Sequence, residues 1–194
     1  MDSEYIRTQK KALRRKILEI RDAQTREDIA LRSMKIEERL TELLEWKKAE
    51  KIFFFYGYSS EVMTEDMMSH ALSEGKRIFL PRVMSLEKMS FFEVKELKGL
   101  LPDKHGILEP PESWGATSEL PDLLIIPGVA FDHSCYRMGY GRGYYDRFIS
   151  SIGQDIPNVA LAFELQIVDS VPRGEYDLPV DRIITEKEIY TKHC

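Results

Sequence analysis

Lys51-Ile-Phe-Phe-Phe-Tyr56 carries, after its lysine, an unbroken apolar run. A strand with one wet face alternates apolar and polar side chains, whereas a strand covered on both faces stays apolar throughout. Leu123-Leu-Ile-Ile-Pro127 reads the same way. Arg77-Ile-Phe-Leu-Pro81 and Met89-Ser-Phe-Phe-Glu-Val94 give two more strands, and Asn158-Val-Ala-Leu-Ala-Phe163 and Arg182-Ile-Ile-Thr185 close the sheet. Between the strands the period changes. Ile6, Leu13, Ile17 and Ile20 fall at helical spacing, which predicts a helix over residues 4 to about 22. Thr25 with Asp28 resembles a capping box, and a second helix is expected to run through Ile29, Met34, Ile36, Leu40 and Leu43-Leu44 to about Trp46. Thr64 is placed to cap a third helix ending near Ser73, and a fourth is expected from about Gly143 to Ser151. Strands alternating with helices predict an α/β fold. The expected architecture is a single domain over residues 1–194: a mostly parallel twisted sheet with helices on both faces, a Rossmann-like three-layer sandwich, and a helical N-terminal segment.

In such folds ligands sit beyond the carboxyl ends of the strands. Glu61, Asp132 and Glu164 all lie just past strand ends and are expected to converge there. Before the last helix stands Arg137-Met-Gly-Tyr-Gly-Arg-Gly-Tyr-Tyr-Asp-Arg147. The alternating Gly139, Gly141 and Gly143 allow successive N–H groups to turn into one concavity. Such a nest feeding a helix suits a phosphate, and Arg137, Arg142 and Arg147 supply bidentate donors for its oxygens. Asp146 is a carboxylate suited to the Mg²⁺ that accompanies a nucleotide. It also lies in the first helical turn, where the helix dipole alone favours an acid by about 0.3–1 kcal/mol. The stretch is not a Walker A loop, lacking Gly-Lys-Ser/Thr, and its G-x-G-x-G spacing is not the G-x-G-x-x-G of a dinucleotide site. Residues 99–121 are rich in Pro and Gly and read as a long loop, in which Glu109 and Trp114 are candidates to cover a site.

Composition narrows the partners. A net charge of −5 gives no global attraction to nucleic acid or to an anionic membrane, so any anion site is local. Cys135 and Cys194 form no C-x-x-C pair, which fits a reduced cytosolic protein. His70, His105, His133 and His193 show no metal-ligand spacing and read as surface or loop residues. Met1-Asp-Ser-Glu4 is acidic and no apolar core follows, so no signal peptide is expected. No apolar run approaches the roughly 20 residues of a membrane helix. The expectation is a cytoplasmic monomer.

Ile126-Pro-Gly-Val-Ala-Phe-Asp132 followed by Arg137 to Arg147 resembles the 5-formyltetrahydrofolate cyclo-ligase (methenyltetrahydrofolate synthetase) family. Lys10-Lys-Ala-Leu-Arg14 is similar to the family's K-x-x-L-R, and Glu61 in Ser60-Glu-Val-Met-Thr64 to a family glutamate. Gly106-Ile-Leu-Glu-Pro110, Ala160-Leu-Ala-Phe163, Gln166 and Pro179-Val-Asp-Arg-Ile-Ile-Thr-Glu186 resemble further family blocks, in the same order. Cys135 stands where the family usually has glycine.

The resemblance implies ATP- and Mg²⁺-dependent cyclisation of 5-formyltetrahydrofolate to 5,10-methenyltetrahydrofolate through an iminium phosphate. It assigns Lys10, Arg14, Arg137, Gly139, Tyr140, Gly141, Arg142, Gly143, Tyr144, Tyr145 and Asp146 to ATP, with Arg142 and Tyr144 acting on the reaction. Tyr56, Glu61 and Tyr144 fall to the folate, and Asp146 and Asp181 to Mg²⁺. From charge alone, Lys10, Lys11, Arg14, Arg15 and Lys16 read as a solvated helix face. Lys10 and Arg14, however, are spaced i, i+4 and point the same way. Tyr56, Tyr58, Tyr144 and Tyr145 are core or rim aromatics by type, and a flat pteridine suits aromatic walls. A carboxylate such as Glu61 accepts paired bonds from pterin amino and ring N–H groups. Asp181 by sequence alone is turn chemistry before a strand. Two other readings exist: a nicotinamide- or flavin-dependent oxidoreductase using Glu164, 21 residues after Gly143, as the ribose acid, and a non-catalytic binding module. A dinucleotide loop follows its strand directly, whereas about a dozen residues separate Pro127 from Gly139.

Overall fold

The structure, a computed structural model, describes residues 3–152, 155–174 and 177–192; His193 and Cys194 lie outside the described residues. In chain order the elements are α1 (Ser3–Asp22), α2 (Arg26–Glu42), α3 (Leu44–Lys48), β1 (Lys51–Phe53), α4 (Glu65–Ser73), β2 (Arg77–Val83) and β3 (Met89–Val94). There follow β4 (Leu101–Pro102), β5 (Leu108–Glu109), β6 (Leu123–Ile126), β7 (Ala130–Asp132), β8 (Arg137–Met138) and α5 (Tyr144–Ile152). The chain finishes with β9 (Asn158–Leu161), β10 (Ile167–Val168), β11 (Arg182–Ile184) and β12 (Ile189–Thr191).

The main sheet has the order β12-β11-β9-β6-β1-β2-β3. Its five inner strands are parallel, and β3 and β12 run antiparallel at the two edges. Alternate residues of the apolar runs face opposite ways. Ile52, Phe54, Leu80, Ile125 and Leu161 pack with Ile29, Ile36 and Leu40 of α2, Trp46 of α3, and Met67, Met68 and Ala71 of α4. Phe53, Phe79, Leu124, Ile126 and Ala160 pack on the other face with Phe148, Ile149 and Ile152 of α5. Phe53 lies 4.7 Å from Phe79 and 4.5 Å from Phe91, ring centroid to centroid. Each such buried side chain contributes about 1.5–3 kcal/mol. The expected three-layer sandwich is the observed one.

Details differ from expectation for local reasons. The second helix does not reach Trp46 unbroken: Leu43 is extended (φ −62°, ψ 143°), splitting it into α2 and α3, and Trp46 turns into the core with Nε1 donating to Glu74 Oε2 at 3.1 Å. Thr64 does not cap α4 through its side chain. Its hydroxyl instead donates to Phe55 O at 2.9 Å and accepts from Gly57 N at 3.0 Å, drawing the chain out of β1 after three residues. Residues 99–121 are not a bare loop. They hold the β4–β5 hairpin, whose turn is built on Asp103 Oδ1, and a 3₁₀ turn at Glu112–Trp114. A second sheet, β10-β7-β8, was not expected. Helix α1 covers that sheet, with Ile17 against Val129, Ala130, Met138 and Val171.

The chain runs β1, β2, β3 in one direction and then crosses to β6 on the other side of β1. That reversal opens a crevice at the carboxyl ends of β1 and β6. The β7–β8 hairpin doubles back so that its tip meets the amino end of β11, where Val180 N donates to Cys135 O at 2.9 Å; β8 then returns the chain toward the crevice. Cys135 is buried at the tip with φ 63°, the left-handed geometry that glycine adopts most easily. Asp132 Oδ1 secures the turn by accepting from Ser134 N and Tyr136 N at 3.0 and 3.1 Å.

Candidate active site

On the β1 side of the crevice the loop 57–62 folds back tightly. A Cβ on Gly57 would lie 2.1 Å from Val62 O, so only glycine fits. This return aims Glu61 into the crevice. Its Oε2 accepts from Tyr58 N at 3.0 Å, and its Oε1 accepts from the Tyr140 hydroxyl. Arg21, near the end of α1 and 4 % exposed, faces Glu61 Oε1 at 4.0 Å. Arg21 is itself held by Ser60 Oγ at 2.9 Å, and Ser60 donates to Asp22. Burial pushes the Glu61 carboxyl above its ordinary value, against the opposing pull of Tyr140, Arg21 and the Tyr58 N–H. Tyr56 lines an adjoining cleft of about 450 Å³ with Asp22, Gln24, Arg26, Ser60 and Met63, a size within the range of small-molecule sites.

On the other side the glycine loop lies among guanidinium groups. A Cβ on Gly139 would meet Arg137 Nη1 at 3.2 Å, one on Gly141 would meet Arg14 Nη2 at 3.4 Å, and one on Gly143 would meet Arg147 Nη1 at 3.1 Å. Gly141 and Gly143 also have φ of 101° and 65°. The loop thus uses glycine both for its turns and for the close approach of three cations. Arg14 Nε donates to Gly139 O at 3.1 Å, and burial lowers the Arg14 pKa. Arg142 is exposed at the loop's centre, with no hydrogen bond or ion pair to a described residue. Lys10 is paired with Asp177. Lys10, Arg14 and Arg21 are spaced four and seven residues apart, which sets them on one stripe of α1. That spacing was legible, so Arg21, the residue missed from sequence, could have been found by continuing the stripe.

The aromatic residues of the motif divide. The Tyr144 hydroxyl donates to Ser85 O at 3.0 Å, with the Arg147 guanidinium 5.2 Å from its ring centroid. Tyr145 packs against both core clusters. Tyr140 alone reaches across to Glu61.

The acids also divide. Asp146 Oδ1 accepts from the buried Arg137 Nη2 at 2.8 Å, and no described residue bonds its Oδ2. Asp132 and Glu164, expected to converge with Glu61, are held elsewhere. Asp132 Oδ2 accepts from Val171 N and Arg173 Nη2, both at 3.0 Å, and Glu164 accepts from Thr185 Oγ1 at 2.7 Å and Tyr190 Oη at 2.8 Å. Asp181 sits at the amino end of β11, where its Oδ2 accepts two bonds from Asn158 at 3.0 Å. It shares no bond with Asp146, and no group of three or more His, Cys, Asp or Glu side chains suited to a metal occurs among the described residues. Asp146 fits a Mg²⁺ that draws its remaining ligands from phosphate and water. Glu109 faces Arg82 at 3.5 Å and accepts from Val83 N at 3.3 Å at the carboxyl end of β2, while Trp114 lies beside Gly99. No helix among the described residues is long and apolar enough to cross a membrane.

Known proteins share this fold. The structure of 5,10-methenyltetrahydrofolate synthetase from Aquifex aeolicus superposes with a TM-score of 0.83 at 32% identity, covering 95% of this chain and 93% of that one. The Mycoplasma pneumoniae synthetase shares the fold, with a TM-score of 0.71 at 24% identity, over 91% of this chain and 98% of that one. A probable 5-formyltetrahydrofolate cyclo-ligase of Schizosaccharomyces pombe is 30% identical over 81% of this chain and 85% of its own length. The mouse 5-formyltetrahydrofolate cyclo-ligase is 28% identical over 80% of this chain and 88% of its own. The model of the 5-formyltetrahydrofolate cyclo-ligase family matches residues 6–186, and the chain belongs to that family.

Proposed function

We propose that this chain cyclises 5-formyltetrahydrofolate to 5,10-methenyltetrahydrofolate at the cost of one ATP. The observation that carries the reading is the set of guanidiniums against the three loop glycines, beside the half-buried Glu61 carboxylate, in a protein of net charge −5. Such a concentration of cations around backbone N–H groups is a receptor for phosphate. Glu61 at the crevice is an acceptor for the paired N–H donors of a pterin, and the Tyr56 cleft has room for the rest of the folate.

A formyl oxygen is a poor leaving group. In the proposed sequence it attacks the γ-phosphorus of ATP and the bond to ADP breaks, leaving an iminium phosphate. The N10 amine then attacks the formyl carbon and loses its proton, and the C–O bond breaks to release phosphate. Positioning and charge stabilisation carry such a transfer. Arg14, Arg137 and Arg142, with the N–H groups of Gly139, Gly141 and Gly143, hold the polyphosphate; Lys10 joins them by leaving Asp177. Arg142, without a hydrogen bond or ion pair among the described residues, stabilises charge on the phosphoryl group in flight. The Tyr140 side chain faces the folate anchor, and Tyr145 backs the loop from the core. Tyr144 offers its ring to the site while its hydroxyl fixes the loop to Ser85. Asp146 Oδ2, unbonded among the described residues, would hold a Mg²⁺, which would neutralise phosphate charge when bound.

The test measures ADP formed by the purified chain with and without 5-formyltetrahydrofolate, alongside the cyclised product by its absorbance. One ADP per product, and almost none without folate, is expected. ATP hydrolysis indifferent to folate, or cyclisation without ATP, would reject the proposal.

A further inference from the structure

Tyr140 joins two regions that hold different ligands in the reading above. It stands on the glycine loop, between Gly139 and Gly141, and is 47 % exposed. Its hydroxyl nevertheless reaches Glu61 Oε1, the carboxylate at the folate end. Arg21 Nη1 donates to the same hydroxyl at 2.8 Å. The two side chains at Glu61 Oε1 are fixed to different degrees, while Oε2 accepts from the backbone Tyr58 N–H. Arg21 is 4 % exposed and tied to Ser60, which makes it a permanent counter-charge. Tyr140 hangs from a loop whose glycines have φ of 101° and 65°. Paired N–H donors need both oxygens of a carboxylate, and the Tyr140 hydroxyl already holds one of them.

We propose that Tyr140 is a placeholder for the folate ring: its hydroxyl occupies the Glu61 oxygen in the empty site, and folate displaces it, releasing the glycine loop. The inference rests on the assignment of Glu61 as folate anchor. Its consequence is coupling. A nucleotide that draws the loop onto its phosphates takes Tyr140 away from Glu61 and removes the displacement cost from folate binding. By linkage, folate raises nucleotide affinity by the same factor. A hydrogen bond to a charged group is strong enough that apparent folate affinity falls roughly 10- to 150-fold below that of the released loop.

The experiment is calorimetric titration of 5-formyltetrahydrofolate into the full chain, with and without a non-hydrolysable ATP analogue and Mg²⁺, for the parent, Tyr140→Phe and Glu61→Gln. The parent is expected to bind folate at least about tenfold tighter with the analogue. Tyr140→Phe keeps the ring and loses the hydroxyl. It should bind folate tighter than the parent without the analogue, and the analogue should then add less than about twofold. Weaker folate binding by Tyr140→Phe, or titrations matching the parent's, would overturn the placeholder role. Glu61→Gln separates the two ideas. If it weakens folate while Tyr140→Phe changes nothing, only the placeholder falls; if it leaves folate affinity intact, the anchor assignment falls as well.

Discussion

Asp181 and Glu61 flank opposite ends of the same parallel sheet, and their hydrogen bonds differ in kind. Asp181 Oδ2 accepts from both the backbone and the side chain of Asn158, whose Oδ1 accepts in return from Asp181 N at 3.1 Å. Asp122, also at the amino ends, accepts from Glu50 N and Lys51 N at 3.1 and 2.8 Å. These carboxylates close the sheet against elements that have no other place to go. At the carboxyl ends Glu61 is bonded by a loop tyrosine, and among the described residues Asp146 Oδ2 has no hydrogen-bond partner and Arg142 no hydrogen bond or ion pair. The amino ends are built to be satisfied without ligand, and so is Glu164 beyond β9, whereas Asp146 and Arg142 beside the crevice are left short of partners among the described residues. A free or exchangeable partner next to the strand ends, more than residue type, marks the site.

The comparison breaks most visibly if Arg142 is dispensable. Loss of one charge-assisted contact in the transition state lowers the rate roughly 10- to 150-fold. Arg142→Ala should show that loss in steady-state cyclisation, with the melting temperature of the ligand-free protein held. Activity within twofold of the parent would mean that the open cation is only a surface charge.

Asp181 and Asp146 sharpen it from both ends. Asp181→Ala strands buried donors of Asn158, which is 8 % exposed, and should cost about 1–3 kcal/mol in denaturant unfolding. Its Mg²⁺ titration of the rate should overlay the parent's. Asp146→Asn should do the reverse, with stability nearly kept and the Mg²⁺ curve displaced to higher concentration. A displaced curve for Asp181→Ala would return that residue to the metal.

The sheet and its two covered faces were legible because Ile52–Phe55 and Leu123–Ile126 are apolar at every position, the pattern of a strand covered on both faces, and both runs are too short for a buried helix. The strands β7, β8 and β10 are two or three residues long, too short for any periodicity to register. The break at Leu43 follows from the burial of Trp46, which no local signal encodes. The glycine loop was legible from composition. The fates of Asp132 and Glu164 were not, since their partners Val171, Arg173, Thr185 and Tyr190 are remote in sequence or in another element. Arg21 stands seven residues beyond Arg14, but a long basic helix offers many such residues, so spacing alone does not single it out.

A smaller effect concerns pH. In the proposed reading, folate binding at Glu61 needs the ionised carboxylate, and burial raises its pKa. The complex therefore binds fewer protons than the free protein on the acid side, so affinity rises with pH through the raised pKa and levels above it. Arg21, Tyr140 and Tyr145 are the other ionisable groups acting on it. Folate affinity measured against pH should begin to fall above the ordinary carboxylate range as acid is added, and Glu61→Gln should flatten that limb. A fall only within the ordinary range would place the titrating group elsewhere.

The smallest effect is expected at Cys135. Glycine there relieves a left-handed backbone but loosens the unfolded chain and removes a buried sulfur, so Cys135→Gly should change stability by less than about 1 kcal/mol. Burial, with Asp132 and Asp181 nearby, pushes the thiol up to about 11, so it should resist alkylation at neutral pH until the protein unfolds. Rapid labelling of the native chain would show the hairpin tip to be open.

Phosphoryl transfer to the formyl oxygen is the central claim, and the fate of that oxygen tests it most directly. With ¹⁸O in the formyl group of 5-formyltetrahydrofolate, a single turnover with ATP should deliver the label into the released phosphate, one labelled oxygen for each methenyl product formed. Label appearing in water, with the phosphate unlabelled, would contradict phosphoryl transfer to that oxygen and the role given to the arginines around the glycine loop.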